Sequence, residues 1–169
     1  MNFDLSDDQR MLKDSVDRLV ADRYQLDQRL AYMAEPKGWS DAVWQEIVEL
    51  GLTMLPFPED VGGLGLGQVE LMIVGEAFGR GLVVEPYLAS VVLAGTAIAH
   101  GAESQAAELL ALIMAGETIA ALADQAEVTL SDGCLSGRAT AVLGGNSACL
   151  LYTSPSPRDR TRSRMPSSA

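Results

Sequence analysis

The most constraining feature of this sequence is a stretch of thirteen residues, from Tyr87 to Ala99, that contains no charged side chain. The segments on either side of it are amphipathic. A helix that is apolar on all faces must be buried on all faces. The stretch is too short to cross a bilayer, which requires about 20 residues. We therefore predict a central helix inside a globular domain, against which the other elements pack.

Four further helices are predicted from capping patterns and from apolar residues spaced three and four apart. The pattern Ser6-Asp7-Asp8-Gln9 is a capping box, and it opens a long first helix that we expect to end near Leu30. Ser40 is expected to cap the second helix. The predicted helices cover residues 6–30, 40–50, 68–80, 86–99 and 104–115.

Residues 55–67, between the second and third helices, contain two prolines and four glycines. Glycine-rich loops can cradle phosphate, but such sites need a preceding strand and often a following lysine. Here a helix precedes the loop and no lysine follows it. We therefore predict a structural crossover loop in preference to a phosphate site.

The sequence pattern changes near Gly116, where short runs of β-forming residues alternate with turn signals. Asp132-Gly133 between two such runs is a strong hairpin signal. We predict an antiparallel β domain that stays incomplete, because a few short strands cannot bury both faces of a sheet. The predicted fold class is mainly α, with five to six helices in residues 1–115 and the first strands of the β domain in residues 116–153.

Residues 154–169 repeat Ser, Pro and Arg without apolar periodicity. One interpretation is a disordered basic tail. The other is sequence that is not native to the gene, of the kind left by sequencing-adaptor read-through. We expect the second, because the composition changes abruptly within a predicted strand.

The formal net charge is -11, and four of the twelve basic residues lie in the tail. An acidic surface repels phosphate backbones, so we expect no nucleic-acid partner. The two cysteines make neither a disulfide framework nor a CxxC metal site. The N-terminus lacks the basic and then apolar pattern of a signal peptide. We expect a cytoplasmic protein with no membrane span and no metal.

Four segments, in order, carry a resemblance to a known family: FDLSDDQ at 3–9, PEDVGGLG at 58–65, GAESQ with the helix after it at 101–117, and the hairpin region at 132–145. Up to about residue 153 the chain resembles the acyl-CoA dehydrogenases, flavoproteins of lipid metabolism that desaturate acyl-CoA thioesters. The resemblance implies FAD as cofactor. It also implies an acyl-CoA substrate, a flavin electron-acceptor protein, and a homo- or hetero-oligomer of related subunits.

The resemblance implies an oxidoreductase reaction in which a carboxylate removes the α-proton of the thioester while hydride passes to flavin N5. In this family the carboxylate belongs to a C-terminal helical domain. No catalytic residue is therefore assigned in this chain.

Four residues at the start of the apolar stretch match the region that walls the acyl chain in the family: Tyr87, Ser90, Val91 and Ala94. These are the candidate substrate-binding residues. The alternative is ordinary core packing, which is the norm for buried apolar residues.

Three residues match segments that meet the flavin ring in the family: Leu122, Ala123 and Leu143. Those segments commonly read A-x-T-E-P and W-[IV]-T-N-G, whereas here the aromatic and both hydroxyl positions are apolar. Two interpretations follow. Either the chain binds FAD through backbone amides, or it is the non-flavin partner subunit of a hetero-oligomeric acyl-CoA dehydrogenase.

Overall fold

The computed structural model describes residues 4–101, 106–124, 126–132 and 134–153. Its α-helices are α1 (Asp7–Arg23), α2 (Leu26–Ala34), α3 (Asp41–Glu49), α4 (Gln68–Gly81), α5 (Thr96–Ala99) and α6 (Ala106–Met114). A π-helix, Leu88–Gly95, runs directly into α5. The predicted mainly helical fold class is confirmed. The predicted tail, residues 154–169, lies outside the described residues.

The capping box at the start of α1 forms as predicted. The Gln9 backbone N–H donates to Ser6 Oγ at 3.2 Å, and the Ser6 N–H donates to Gln9 Oε1 at 2.9 Å. The helix does not continue to Leu30, however, because α1 ends at Arg23 and α2 begins at Leu26. The prediction of one long first helix was therefore wrong.

Long-range contacts of Tyr24 explain the break between α1 and α2. Its ring packs edge-on against Tyr32, with centroids 5.7 Å apart. Its hydroxyl accepts a hydrogen bond from the Val84 backbone N–H at 3.3 Å. Gln25 is the N-cap residue of α2, and its backbone N–H donates to Gln28 Oε1 at 3.2 Å. Helical periodicity continues across this point, so a local pattern does not reveal the break.

The uncharged stretch forms the centre of the core, as predicted. Val91 and Ala94 of the π-helix and Ile98 of α5 are almost fully buried. The crossover loop places the buried ring of Phe57 against the same helix. A Cβ atom at Gly95 would lie only 2.5 Å from Phe57 Cζ, so this close approach depends on glycine.

Backbone hydrogen bonds within the crossover loop hold it in its conformation. Five consecutive amides, from Gly62 to Leu66, donate to carbonyls of residues 54–59, at distances between 2.7 and 3.0 Å. Amides that are already bonded in this way cannot cradle a phosphate. The prediction of a structural loop is confirmed.

Four strands follow the helices: β1 (Ala120–Leu122), β2 (Ala126–Ser131), β3 (Cys134–Ala139) and β4 (Leu150–Tyr152). Strands β2 and β3 form the predicted antiparallel hairpin, in which Ser131 faces Cys134. The turn passes through Asp132 in the left-handed region, with φ 52°. Strands β1 and β4 pair in parallel, whereas the sequence predicted antiparallel strands throughout the β domain. The sheets are short and incomplete, as expected.

Candidate functional site

A groove of about 370 Å³ lies between three segments that are distant in sequence. These are residues 37–39 before α3, residues 83–89 around the start of the π-helix, and the turn at 143–147 after β3. Its apolar lining consists of Trp39, Val83, Val84, Pro86, Leu88, Ala89 and Leu143, and its polar lining includes Lys37, Glu85, Asn146 and Ser147. Concavity and a few convergent polar groups are features of small-molecule sites, and the lining surface of this groove is divided almost evenly between polar and apolar groups.

Glu85 is the buried acid of the groove, with 6% of its surface exposed. Its Oε1 accepts a hydrogen bond from the Ser40 backbone N–H at 3.3 Å, while Oε2 has no partner. Burial raises the pKa of the Glu85 carboxyl to about 7, since removal from water disfavours the charged form. The carboxyl therefore changes charge near neutral pH.

Trp39 forms the neighbouring wall and is 4% exposed. Its ring packs edge-on against Trp44, with centroids 6.0 Å apart. The Lys37 ammonium lies over the Trp39 ring, 4.9 Å from its centroid, and pairs with Asp41 at 2.6 Å. The Trp39 indole N–H has no partner. Trp39 and Glu85 thus each carry one buried polar atom without a hydrogen-bond partner.

The four predicted substrate-binding residues, Tyr87, Ser90, Val91 and Ala94, are buried in the core and do not line the groove. The Tyr87 hydroxyl donates to the Leu52 carbonyl at 2.9 Å, and burial raises the pKa of that hydroxyl. Ser90 Oγ accepts from the Ala120 N–H at 3.0 Å and so attaches β1 to the π-helix.

The groove is lined instead by their neighbours Leu88 and Ala89 and by Glu85, which sequence reasoning missed. One available signal was the position of Glu85, an acid directly before the proline that opens an uncharged stretch.

One of the three predicted flavin-contacting residues lines the groove, and the other two do not. Leu143 is 52% exposed and lines the groove. Leu122 and Ala123 do not line it. The Ala123 amide donates to the Tyr152 carbonyl at 2.8 Å, and Leu122 pairs with Tyr152 in the β1–β4 ladder. These residues offer FAD an apolar contact at Leu143 but no side-chain donor, so they do not fit a hydrogen-bonded flavin site.

The Ser90 hydrogen bond gives a stability prediction. Ser90→Ala should lower the free energy of unfolding by about 1–3 kcal/mol, because the fully buried Ala120 amide loses its acceptor. Urea denaturation of the 169-residue protein measures this. Ser15→Ala is the control, since the Ser15 hydroxyl is exposed and bonds only within α1, and it should stay within about 0.5 kcal/mol of wild type. An equal effect of the two variants would contradict the assigned role.

Comparison with known proteins identifies relatives. The family model for the acyl-CoA dehydrogenase N-terminal domain matches residues 6–117. Benzylmalonyl-CoA dehydrogenase of Aromatoleum aromaticum is 33% identical over 81 residues, which are 48% of this chain and 21% of that protein. Acyl-CoA dehydrogenase IpdE2 of Mycobacterium tuberculosis is 32% identical over 117 residues, 69% of this chain and 36% of that protein. The chain spans less than half the length of these curated relatives.

Solved structures share the fold. The ChsE4-ChsE5 complex from Mycobacterium tuberculosis superposes with a TM-score of 0.71 at 23% identity, over 81% of this chain and 40% of the matched chain. A variant of the Tcur3481-Tcur3483 steroid ACAD gives 0.77 at 21% identity, over 86% and 44%. The FAD complex of PigA gives 0.69 at 23% identity, over 92% and 46%.

Within the described parts of the chain, no helix combines the length and the apolarity that crossing a bilayer requires. The family model covers more than half of the 169 residues, and all six α-helices lie within the residues that it matches. This chain belongs to the acyl-CoA dehydrogenase family.

Proposed function

We propose that the chain is part of an FAD-dependent acyl-CoA dehydrogenase and supplies a wall of the groove in which the acyl chain lies beside the flavin. One observation carries this proposal. The groove brings Leu143, at a position that meets the flavin in the family, together with Leu88 and Ala89 at the start of the helix that walls the acyl chain. Chain folding unites two segments that the family resemblance assigns to one site.

The role of these residues is binding and orientation. The apolar side chains of Val84, Leu88 and Leu143 shield an acyl chain from water, and fixing the chain lowers the entropic cost of reaching a reactive geometry. The four core residues predicted at the acyl wall support this role by holding the π-helix in place. FAD supplies the hydride-accepting chemistry in the family. Most contacts to FAD, and the reoxidation of the flavin by an acceptor protein, are assigned to groups outside the described residues.

Octanoyl-CoA binding tests the proposal. Leu88→Asp places a charge on the groove wall, where Leu88 is 55% exposed, so the fold should tolerate it. We expect octanoyl-CoA to bind this variant at least about tenfold more weakly than wild type, equivalent to about 1.4 kcal/mol, in isothermal titration calorimetry.

Leu93→Asp is the matched control, because Leu93 lies on the same π-helix, is 39% exposed and does not line the groove. It should bind octanoyl-CoA within about twofold of wild type. Free CoA should bind both variants equally, since the groove is proposed to hold the acyl part. Equal loss of octanoyl-CoA affinity in the two variants, or no binding to wild type, would argue against an acyl groove here.

A second candidate is the non-flavin partner subunit of a hetero-oligomeric acyl-CoA dehydrogenase. The observation that favours it is the absence of flavin donors at the three predicted positions, together with the engaged Ala123 amide. Most contacts to FAD are assigned to groups outside the described residues, so the test uses the full-length parent protein, incubated with FAD and then passed through gel filtration. Flavin absorption that travels with the protein supports the enzyme, and a colourless protein supports the partner subunit.

A further inference from the structure

Helix α2 carries a row of large apolar side chains that remains exposed. Leu26, Leu30 and Met33 are 69%, 52% and 49% exposed, and no residue of α2 is buried. Their spacing of four and then three residues places the three side chains on one side of the helix, and we call them the α2 stripe. The same spacing forms the seam of a coiled coil, in which one helix packs along another. The α2 stripe therefore has the pattern of a surface for a second helix.

Leu82 extends the apolar surface at the edge of the α2 stripe. Arg29, which lies one helical turn from both Leu26 and Met33, donates from Nε to the Leu82 carbonyl at 2.9 Å. The Leu82 side chain is 61% exposed, and its backbone is in the left-handed region with φ 53°. Leucine is uncommon in that conformation, and glycine is the usual residue at such a helix end. An exposed leucine at a position that favours glycine indicates that the side chain has a role at the surface.

The charges beside the α2 stripe are mainly negative. In a coiled coil the positions that flank the seam, called e and g, set the choice of partner. With Leu26 at a d position, Asp27 is at e and Arg29 is at g. The Arg29 guanidinium is engaged by a backbone carbonyl. Asp27, and Glu35 directly after α2, are exposed and form no salt bridge within the described ranges of the chain. These two carboxylates are open to a cationic partner.

Charge distinguishes between the possible occupants of the α2 stripe. The formal net charge of the chain is -11, so a second copy would bring a surface of the same sign. An anionic membrane surface would be repelled for the same reason. Residues 154–169 contain four arginines but a single large apolar residue, Met165, so the tail has no seam to match the stripe. A basic helix with an apolar seam complements both the stripe and its acidic flank.

We propose that the α2 stripe binds a basic amphipathic helix of another protein. The apolar seam of that helix packs on the stripe and on Leu82, and its lysine or arginine side chains lie opposite Asp27 and Glu35. Recognition of an amphipathic helix through anchors at positions i, i+4 and i+7 is a recurring mode of protein binding. No residue of α2 lines the groove described above, so this inference does not depend on the proposed function.

Two synthetic helices test the proposal with the full 169-residue chain. One peptide consists of three LAALKAK heptads, with leucine at the seam and lysine at the flanks. The other consists of three LAALEAE heptads and differs only in the sign of the flanking charges. We expect isothermal titration calorimetry at low salt to show that the lysine peptide binds at least about tenfold more tightly than the glutamate peptide. High salt should reduce this difference, because it screens exposed charges.

Three variants connect the binding to the α2 stripe. Leu30→Asp disrupts the centre of the stripe and adds a negative charge, so the lysine peptide should bind it at least about tenfold more weakly than wild type. Met11→Asp is the matched control, because Met11 is 68% exposed and lies near the start of α1, at the far end of that helix from α2. It should bind within about twofold of wild type. Asp27→Lys leaves the stripe intact and should reduce the preference for the lysine peptide.

Non-specific attraction between a cationic peptide and an acidic protein predicts a different result, namely equal or tighter binding to both aspartate variants. That result, equal affinity for the two peptides, or no binding of the lysine peptide would overturn the inference. Analytical ultracentrifugation without peptide tests the alternative occupant. We expect wild type and Leu30→Asp to have the same mass in solution. A wild-type dimer that Leu30→Asp dissociates would assign the stripe to a second copy and would also overturn the inference.

Discussion

Gly63→Ala is expected to destabilise the protein by about 3 kcal/mol or more. A Cβ atom at Gly63 would lie 2.1 Å from the carbonyl oxygen of Phe57 and 2.6 Å from its Cβ, and Phe57 is fully buried. The backbone must therefore move. A backbone shift in this packed region introduces strain that costs about 1–3 kcal/mol of stability. It also weakens the bonds from the Gly63 amide to Pro58 and from the Gly65 amide to Phe57, at about 1 kcal/mol each.

Gly75→Ala is the matched control for this prediction. Gly75 is an exposed residue within α4, and a Cβ atom added there meets nothing within 4 Å. Alanine is favoured over glycine in a helix by about 1 kcal/mol, so this variant should be more stable than wild type. Urea denaturation compares the free energies of unfolding of the Gly63→Ala and Gly75→Ala variants. A Gly63→Ala protein within about 1 kcal/mol of wild type would show that the crossover loop is less tightly packed than its backbone contacts indicate.

Glu85→Gln is expected to raise stability increasingly as the pH rises. The Glu85 pKa is raised from 4.5 to about 7 in the folded protein, so the unfolded chain loses this proton first. Stability therefore falls as the pH rises from about 4.5 to about 7 and stays lowered above that. Each pKa unit corresponds to about 1.4 kcal/mol. The free energy of unfolding of the variant should exceed that of wild type by about 1 kcal/mol at pH 5.5 and by about 3 kcal/mol at pH 8.5.

Thermal or urea unfolding across this pH range measures the difference in unfolding free energy between Glu85→Gln and wild type. Among the described residues that line the groove, Lys37 is the other ionisable group, and it is paired with Asp41. Glu35→Gln is the control for replacing a carboxylate by an amide, since Glu35 is exposed. A flat difference for Glu85→Gln would mean that the carboxyl is solvated in the folded protein.

Much of the fold could be predicted because its signals are local. The capping box at Ser6 and the Asp132-Gly133 sequence each specify a short segment through neighbouring residues, and the uncharged run from Tyr87 to Ala99 requires burial on every face. The break at Tyr24 could not be predicted. It depends on a ring and a backbone amide that approach only after the chain folds.

The groove could be predicted only in part, for two physical reasons. Its lining comes from three separate segments, so Trp39, Glu85 and Leu143 meet only in the tertiary structure. The uncharged stretch is apolar on every face, so its pattern does not indicate which residues point to the groove. Its first part is also a π-helix, whose i→i+5 bonds orient successive side chains differently from an α-helix. Leu88 and Ala89 line the groove, whereas the family resemblance pointed to Ser90 and Val91 of the same stretch.

The most direct test of the acyl groove is photo-cross-linking of the full chain with an octanoyl-CoA analogue that carries a diazirine at the end of its acyl chain. Mass spectrometry of the digested protein then locates the label. The groove predicts labels on residues 83–89 and 143–147, and their loss in the presence of excess octanoyl-CoA. Labels that fall elsewhere, or that excess octanoyl-CoA does not displace, would contradict the assignment of this groove to the acyl chain.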